Sequence, residues 1–168
     1  LQQAVTAVWE DVRRICHELH PSLLRYTGLP AALQSLCEGH AGAAEMHMEL
    51  ADLPDLPLET ATALYRIAQE ALRNVDKHAR ARNVYVRLWL LDDRVSLEVR
   101  DDGIGWDQSG PGPAGGLGML SMMERARAIG GELTIVPDRR GGICVVAQVP
   151  LRARSHFSNA EGALLQRD

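Results

Sequence analysis

Between Pro57 and Arg80 the chain carries its longest uninterrupted helical period, and that segment limits the available folds more than any other. At about 100° per residue, Leu64, Ile67, Ala68, Ala71 and Val75 fall on one apolar stripe. Such a stripe must be covered by another layer, and the next residues along the chain have the composition of strands. Val84 to Leu91 and Arg94 to Arg100 are rich in β-branched and aromatic residues and meet at Asp92-Asp93, which predicts an antiparallel hairpin. Glu132 to Val136 and Ile143 to Val149 predict another across Asp138 to Gly142. A helix over Met119 to Ile129 lies between them and ends at Gly130-Gly131, a common helix stop.

Upstream, Val5, Val8, Val12, Ile15 and Leu19 predict an amphipathic helix over 1–20, with a change of direction at Pro21. Leu29, Leu33 and Leu36 predict a second helix that stops at Gly39. Met46, Met48 and Leu50 alternate with Glu45, His47 and Glu49, the pattern of a half-buried strand. Asp52 to Pro57 is a loop, residues 106–116 are crowded with glycine and proline and form a mobile connection, and the tail beyond Leu151 has no period. The expected fold is α+β: a two-layer sandwich whose mixed, mainly antiparallel sheet is covered by helices on one face, with an N-terminal helical segment. A Rossmann reading of Gly116 and Gly118 fails, because their spacing has no third glycine and no strand leads directly into them.

A net charge of -4 argues against a general nucleic-acid surface. Cys16, Cys37 and Cys144 are too scattered for a disulfide framework or a zinc knuckle, which suits a reducing cytoplasm. No apolar run reaches the ~20 residues needed to cross a bilayer, so any membrane anchor of a longer protein is expected outside this segment.

Three features carry chemistry. Glu70, Asn74 and Lys77 lie together on the flank of the apolar stripe, where a carboxylate, an amide and an ammonium could edge a cavity or simply face solvent as an ion-paired helix surface. The second strand runs into Asp101-Asp-Gly-Ile-Gly105, where glycines let a ligand approach the backbone and a carboxylate can accept from an exocyclic amine. Adenine presents such an amine where guanine presents a carbonyl, so this Asp would select ATP over GTP; a charged turn is the other reading. Finally, the glycines of 110–118 run into a helix start, which is either a phosphate site or a flexible connection.

Together these stretches resemble the catalytic and ATP-binding domain of bacterial sensor histidine kinases. That domain belongs to the Bergerat-type ATPase superfamily, with type II topoisomerases and heat-shock chaperones. Arg66-Ile-Ala-Gln-Glu-Ala-Leu-Arg-Asn-Val-Asp-Lys-His-Ala79 looks like the N box, Asp101-Asp-Gly-Ile-Gly105 like the G1 box, and Gly116-Leu-Gly-Met-Leu-Ser-Met-Met-Glu-Arg125 like the G2 box. The Gln-Glu-Ala-Leu-x-Asn form and the Met-x-Glu-Arg ending are similar to the subfamily whose response regulators carry a helix-turn-helix output. His17-Glu-Leu-His-Pro-Ser-Leu-Leu-Arg-Tyr-Thr-Gly-Leu29 resembles the end of its second dimerisation helix and the link to the ATPase domain.

The resemblance implies a Bergerat-type fold, with 1–28 the end of the dimerisation helix and linker, 29–151 the ATP-binding domain and 152–168 a flexible tail. It implies ATP and Mg2+ as ligands. Asn74 would give an oxygen to the metal, Lys77 would offset phosphate charge and His78 would line the pocket. Asp101 would read the adenine amine, with Gly103 and Gly105 letting the base close in, while Gly116, Gly118 and Met119 would form the lid. Glu70 takes the position of the base or water-orienting group. The implied reaction is transfer of the γ-phosphate to a histidine, then relay to a response regulator, within a homodimer.

The family's acceptor histidine is followed by an acidic residue on the first dimerisation helix, whereas His17 and His20 match the second. The acceptor is therefore expected on a segment outside this chain, which would leave the fragment unable to phosphorylate itself. His40, His47 and His156 are expected at the surface. Gly142-Ile143 stands where the family often has Gly-Thr, and Met119 where Leu is common, which implies altered nucleotide contacts. An anti-sigma-factor-type serine kinase on the same fold and a non-catalytic nucleotide-sensing module are the alternatives.

Overall fold

The computed structural model describes residues 21–40, 42–105, 116–138 and 141–151. The helix expected over 1–20, the loop over 106–115, the tail from 152, Cys16 and His156 lie outside them. Helix α1 spans Pro21–Glu38, strand β1 Glu45–Leu50, and helix α2 Leu58–Asn74. The chain then makes a π-helical turn over Val75–Ala79 and continues through β2 (Asn83–Leu91), β3 (Arg94–Asp101), helix α3 (Leu117–Ala128), β4 (Glu132–Pro137) and β5 (Ile143–Pro150).

The five strands form one sheet in the order β1-β2-β3-β5-β4. Only β1 and β2 run parallel, with Met46 opposite Val84 and Met48 opposite Val86. A parallel pair needs a crossover, and α2 supplies it. The β2–β3 turn places Asp92 and Asp93 at φ 50° and 60°, left-handed values that match the twist of a two-residue hairpin and that aspartate tolerates. Both hairpins and α3 lie where the periodicity puts them, and Gly131 N–H closes α3 by donating to Ala126 O at 2.9 Å.

Period-2 alternation sends Val84, Val86 and Leu88 of β2, Val95, Leu97 and Val99 of β3, and Val145, Ala147 and Val149 of β5 to one buried face. Leu64, Ile67, Ala68, Ala71 and Val75 of the second-helix stripe are all buried in the same core, with Leu33 of α1 and Met122 of α3. Burial of each large aliphatic contributes roughly 1.5–3 kcal/mol, so this interlayer core dominates stability. Met48 remains exposed because β1 is an outer strand.

The described part of α1 begins at Pro21, and the change of direction expected there involves residues outside the described ones; within α1 the chain breaks at Gly28 (φ 77°, ψ 171°), a conformation essentially reserved for glycine. The chain regains helix at Leu29, and Leu24 and Leu29 on either side of the break are both buried. His40, expected at the surface, has a side chain only 10% exposed. Burial raises the thiols of Cys37 and Cys144 to about 12 and about 11, so both are poor nucleophiles.

Candidate functional site

α2 brings Asn74 to the end of its regular turns and then widens into the π turn, a rare form found mostly at functional sites. Arg80 ends that turn in a left-handed conformation at φ 52°. The β3 end then closes against it: Ile104 N–H donates to Ala79 O at 2.8 Å, and Gly103 packs so tightly on Ala79 O that a Cβ would collide with it.

Asp101 is 5% exposed and held on both oxygens, Oδ1 accepting from Gly103 N–H at 2.9 Å and Oδ2 from Ile143 N–H at 3.2 Å. Burial raises its pKa, against the pull of those two amides; the charges of Asp102 and Asp138 push the same way as burial. Gly142, at φ 83°, passes so close to Asp101 that any side chain would strike its backbone oxygen. The end of β3 and the β4–β5 hairpin are thereby joined through one carboxylate.

Asp102 was not singled out from the sequence, yet it organises the other side. Its Oδ1 accepts from Arg82 N–H and Asn83 N–H, and its Oδ2 from Asn83 Nδ2, all at 2.8 Å. The Asn83 side chain, followed by its backbone N–H, holds the Asp102 pKa below the ordinary carboxylate value. Acceptance of strand-start amides by a loop aspartate is a local signal, but the partners lie 19 and 20 residues back and periodicity does not reach them.

These elements enclose a cavity of about 260 Å³. Asn74, His78, Asp101, Gly105, Gly116, Gly118 and Met119 all line it, and Ala71, Val75, Val99, Met122, Ile135, Ile143 and Val145 supply apolar walls. It is a mainly apolar cavity with a carboxylate, an amide and an imidazole in its lining, the composition expected of a site for a heteroaromatic ring with a polar tail. Ile143 both lines the slot and donates to Asp101 through its N–H, so the absence of a threonine hydroxyl leaves the carboxylate clamp in place. A larger hollow of about 670 Å³ lies between α1 and residues 50–58, lined by Leu24, Tyr26, Leu53 and Leu56, but none of the candidate site residues reaches it.

Glu70, Lys77 and Gly103 do not line the slot. Gly103 lies beneath it against Ala79, and Lys77 is exposed in the π turn without an ion pair among the described residues. Glu70 is 23% exposed, with Oε2 3.1 Å from Arg73 Nη1 and Oε1 against the Cα of Gly118, where a Cβ would collide with it. Among the described residues no three His, Cys, Asp or Glu side chains gather to hold a metal. A single amide oxygen at the slot's edge fits a small hard cation that takes its other ligands from phosphate and water.

The family model described as "Histidine kinase-, DNA gyrase B-, and HSP90-like ATPase" matches residues 59–153. The sensor histidine kinase MctS of Rhizobium johnstonii is 36% identical over 156 residues, covering 90% of this chain and 34% of that protein. The oxygen sensor histidine kinase NreB of Staphylococcus carnosus is 33% identical over 147 residues, covering 84% of this chain and 42% of its own length. The chain thus spans well under half of these relatives. Among solved structures, the histidine kinase domain of the Erythrobacter litoralis EL346 blue-light activated kinase superposes with a TM-score of 0.64 at 25% identity, covering 73% of this chain and 61% of that one.

Proposed function

The chain belongs to the histidine kinase-, DNA gyrase B- and HSP90-like ATPase family, and on that premise we propose that its slot binds Mg-ATP for transfer of the γ-phosphate to a histidine. That histidine would lie on a dimerisation segment outside this chain, and the phosphate would pass from it to a response regulator. The observation that carries the reading is Asp101, a buried carboxylate held by two backbone amides in the lining of a mainly apolar slot. Each oxygen keeps a further lone pair, which an adenine amine can fill and a guanine carbonyl would repel.

In this reading Asn74 offers its amide oxygen to the cation, which neutralises charge on the phosphates and orients them. Lys77, exposed one turn beyond, contributes a mobile positive charge to the same end. His78 closes the side of the slot, while Gly116, Gly118 and Met119 cover it at the start of α3. Glu70 lies under Gly118 and has to leave that contact before it can orient a nucleophile. Because phosphoryl transfer depends mainly on positioning and charge neutralisation, these contacts suffice without covalent participation by the protein. Residues 1–28 are read as the end of the dimerisation helix and its linker, 29–151 as the ATP-binding unit and 152–168 as a tail.

Calorimetry with ATP and GTP in the presence of magnesium tests this directly, on the wild type and on Asp101→Ala. ATP should bind at least tenfold more tightly than GTP, the step expected from one buried, correctly paired polar contact of about 1.4 kcal/mol or more. Asp101→Ala should abolish that preference. Equal affinity for the two nucleotides, or an affinity indifferent to Asp101, overturns the assignment. Adding the acceptor segment of a relative should then yield a phosphorylated histidine, whereas a phosphorylated serine on a partner would favour the serine-kinase alternative.

A further inference from the structure

The π turn that carries Lys77 and His78 is gripped from two sides, and only the inner grip belongs to the slot. On the inside, Ile104 N–H and Gly103 hold Ala79. On the outside, His40 Nε2 lies 2.9 Å from Oδ1 of Asp76. That nitrogen is fully buried and has no well-directed hydrogen bond, so the Asp76 carboxylate is its sole polar counterpart among the described residues. A buried ring nitrogen left in that state calls for a reason. Gly42 closes over the pair, since a Cβ there would come within 2.7 Å of both the Asp76 oxygen and the His40 nitrogen.

His40 is placed by the end of α1. Gly39 N–H donates to Ser35 O at 3.0 Å and His40 N–H to Cys37 O at 3.1 Å, which fixes the ring relative to a helix whose Leu33, Leu36 and Cys37 are buried in the core. Asp76 stands between Val75, anchored in the core, and Lys77, which projects into solvent. A π turn is inherently less favourable than the α-helix it interrupts and keeps its shape only where its surroundings impose it.

We propose that His40 is a positioning residue that clamps Asp76 and thereby holds the π turn, and Lys77 on it, in register with the phosphate end of the slot. The clamp makes the attitude of α1 a determinant of triphosphate binding, so a helix arriving from upstream can regulate the site without touching it. This rests on the reading of the slot as an ATP site.

The test uses the whole chain with two probes, Mg-ATP and adenosine, measured by calorimetry on the wild type, His40→Leu, Asp76→Ala, the double variant and His40→Gln. His40→Leu and Asp76→Ala should each weaken Mg-ATP by about fivefold, the scale of one part-buried polar contact, and leave adenosine within about twofold. The double variant should be no worse than either single one, and His40→Gln, whose amide can still donate to Asp76, should recover most of the affinity. Losses that multiply, a loss shared equally by adenosine, or no loss at all overturns the clamp. Amide hydrogen exchange on the free protein gives a readout independent of nucleotide. His40→Leu and Asp76→Ala should speed exchange at 75–79 and spare the centres of β2 and β3, and unchanged exchange at 75–79 overturns the clamp. If the wild type binds no ATP, the ATP assignment fails while the exchange result still decides the clamp.

Discussion

Two adjacent aspartates end β3 with opposite electrostatics. Asp101 is buried and its pKa is raised; Asp102 is turned towards the donors of Arg82 and Asn83 and its pKa is lowered. For Asp101 the folded state holds a proton more tightly than the unfolded chain does, so its charge costs stability once the pH has risen past its folded pKa. The carboxylate form is also the one that accepts the two amides and, in the proposed reading, an adenine amine. ATP affinity should therefore begin to fall on acidification while the pH is still above the ordinary Asp value of about 3.9, as a calorimetric pH series would show. Asp102 runs the other way: its stabilisation is complete above the unfolded value and is lost as the pH falls through its lowered folded value. Asp102→Ala should cost about 1 kcal/mol near neutrality, since three donors lose their acceptor and the site is partly wet. The deficit should shrink in denaturation curves as the pH falls through the lowered folded pKa of Asp102, where the wild-type carboxylate is itself protonated. Sequence alone placed Asp101 at a site and passed over Asp102, because a charged pair after a strand does not reveal which member turns inward.

Among the elements, the glycines around the slot are not equivalent. A methyl at Gly103 would meet Ala79 O, which is backbone and cannot step aside, whereas a methyl at Gly118 would meet the far end of the Glu70 side chain, which can. Gly103→Ala should lower stability by roughly 1–3 kcal/mol in urea denaturation, the usual cost of overpacking. Gly118→Ala should leave the midpoint nearly unchanged and show its effect in phosphoryl transfer, by displacing Glu70. Equal losses of stability in the two variants would mean that Glu70 cannot step aside either. The elements themselves were readable from periodicity: the stripe of α2, the two hairpins and α3 all stand where their apolar spacing puts them. The parallel pairing of β1 with β2 was not readable, because register across a crossover is set by tertiary packing. The π turn was equally hidden, since Val75 to Ala79 continues a good helical pattern and the contacts that hold the turn come from residues distant in sequence, Gly103 and Ile104 on Ala79 and His40 on Asp76. The break at Gly28 was not readable, because a single glycine in a chain does not show which of its many conformations it takes.

At the scale of the molecule, α1 belongs to the core as much as to any linker. Leu24 is 5% exposed although it precedes the Gly28 break. A chain cut to 29–151 should therefore be less stable than one cut to 21–151 by about 2 kcal/mol, the worth of one buried leucine, as read from urea unfolding. Equal stability would mean that the core closes without Leu24. His40 was misread for a related reason: a lone histidine in a glycine-rich stretch has no periodicity of its own, and its burial depends on where α1 meets the π turn. The carboxylate of Asp101 is fastened on both oxygens before any nucleotide arrives, so a base entering the slot meets an acceptor with no rotamers left to lose. Encounter should consequently be insensitive to this residue, and its removal should appear almost wholly as a shorter residence time of the bound nucleotide.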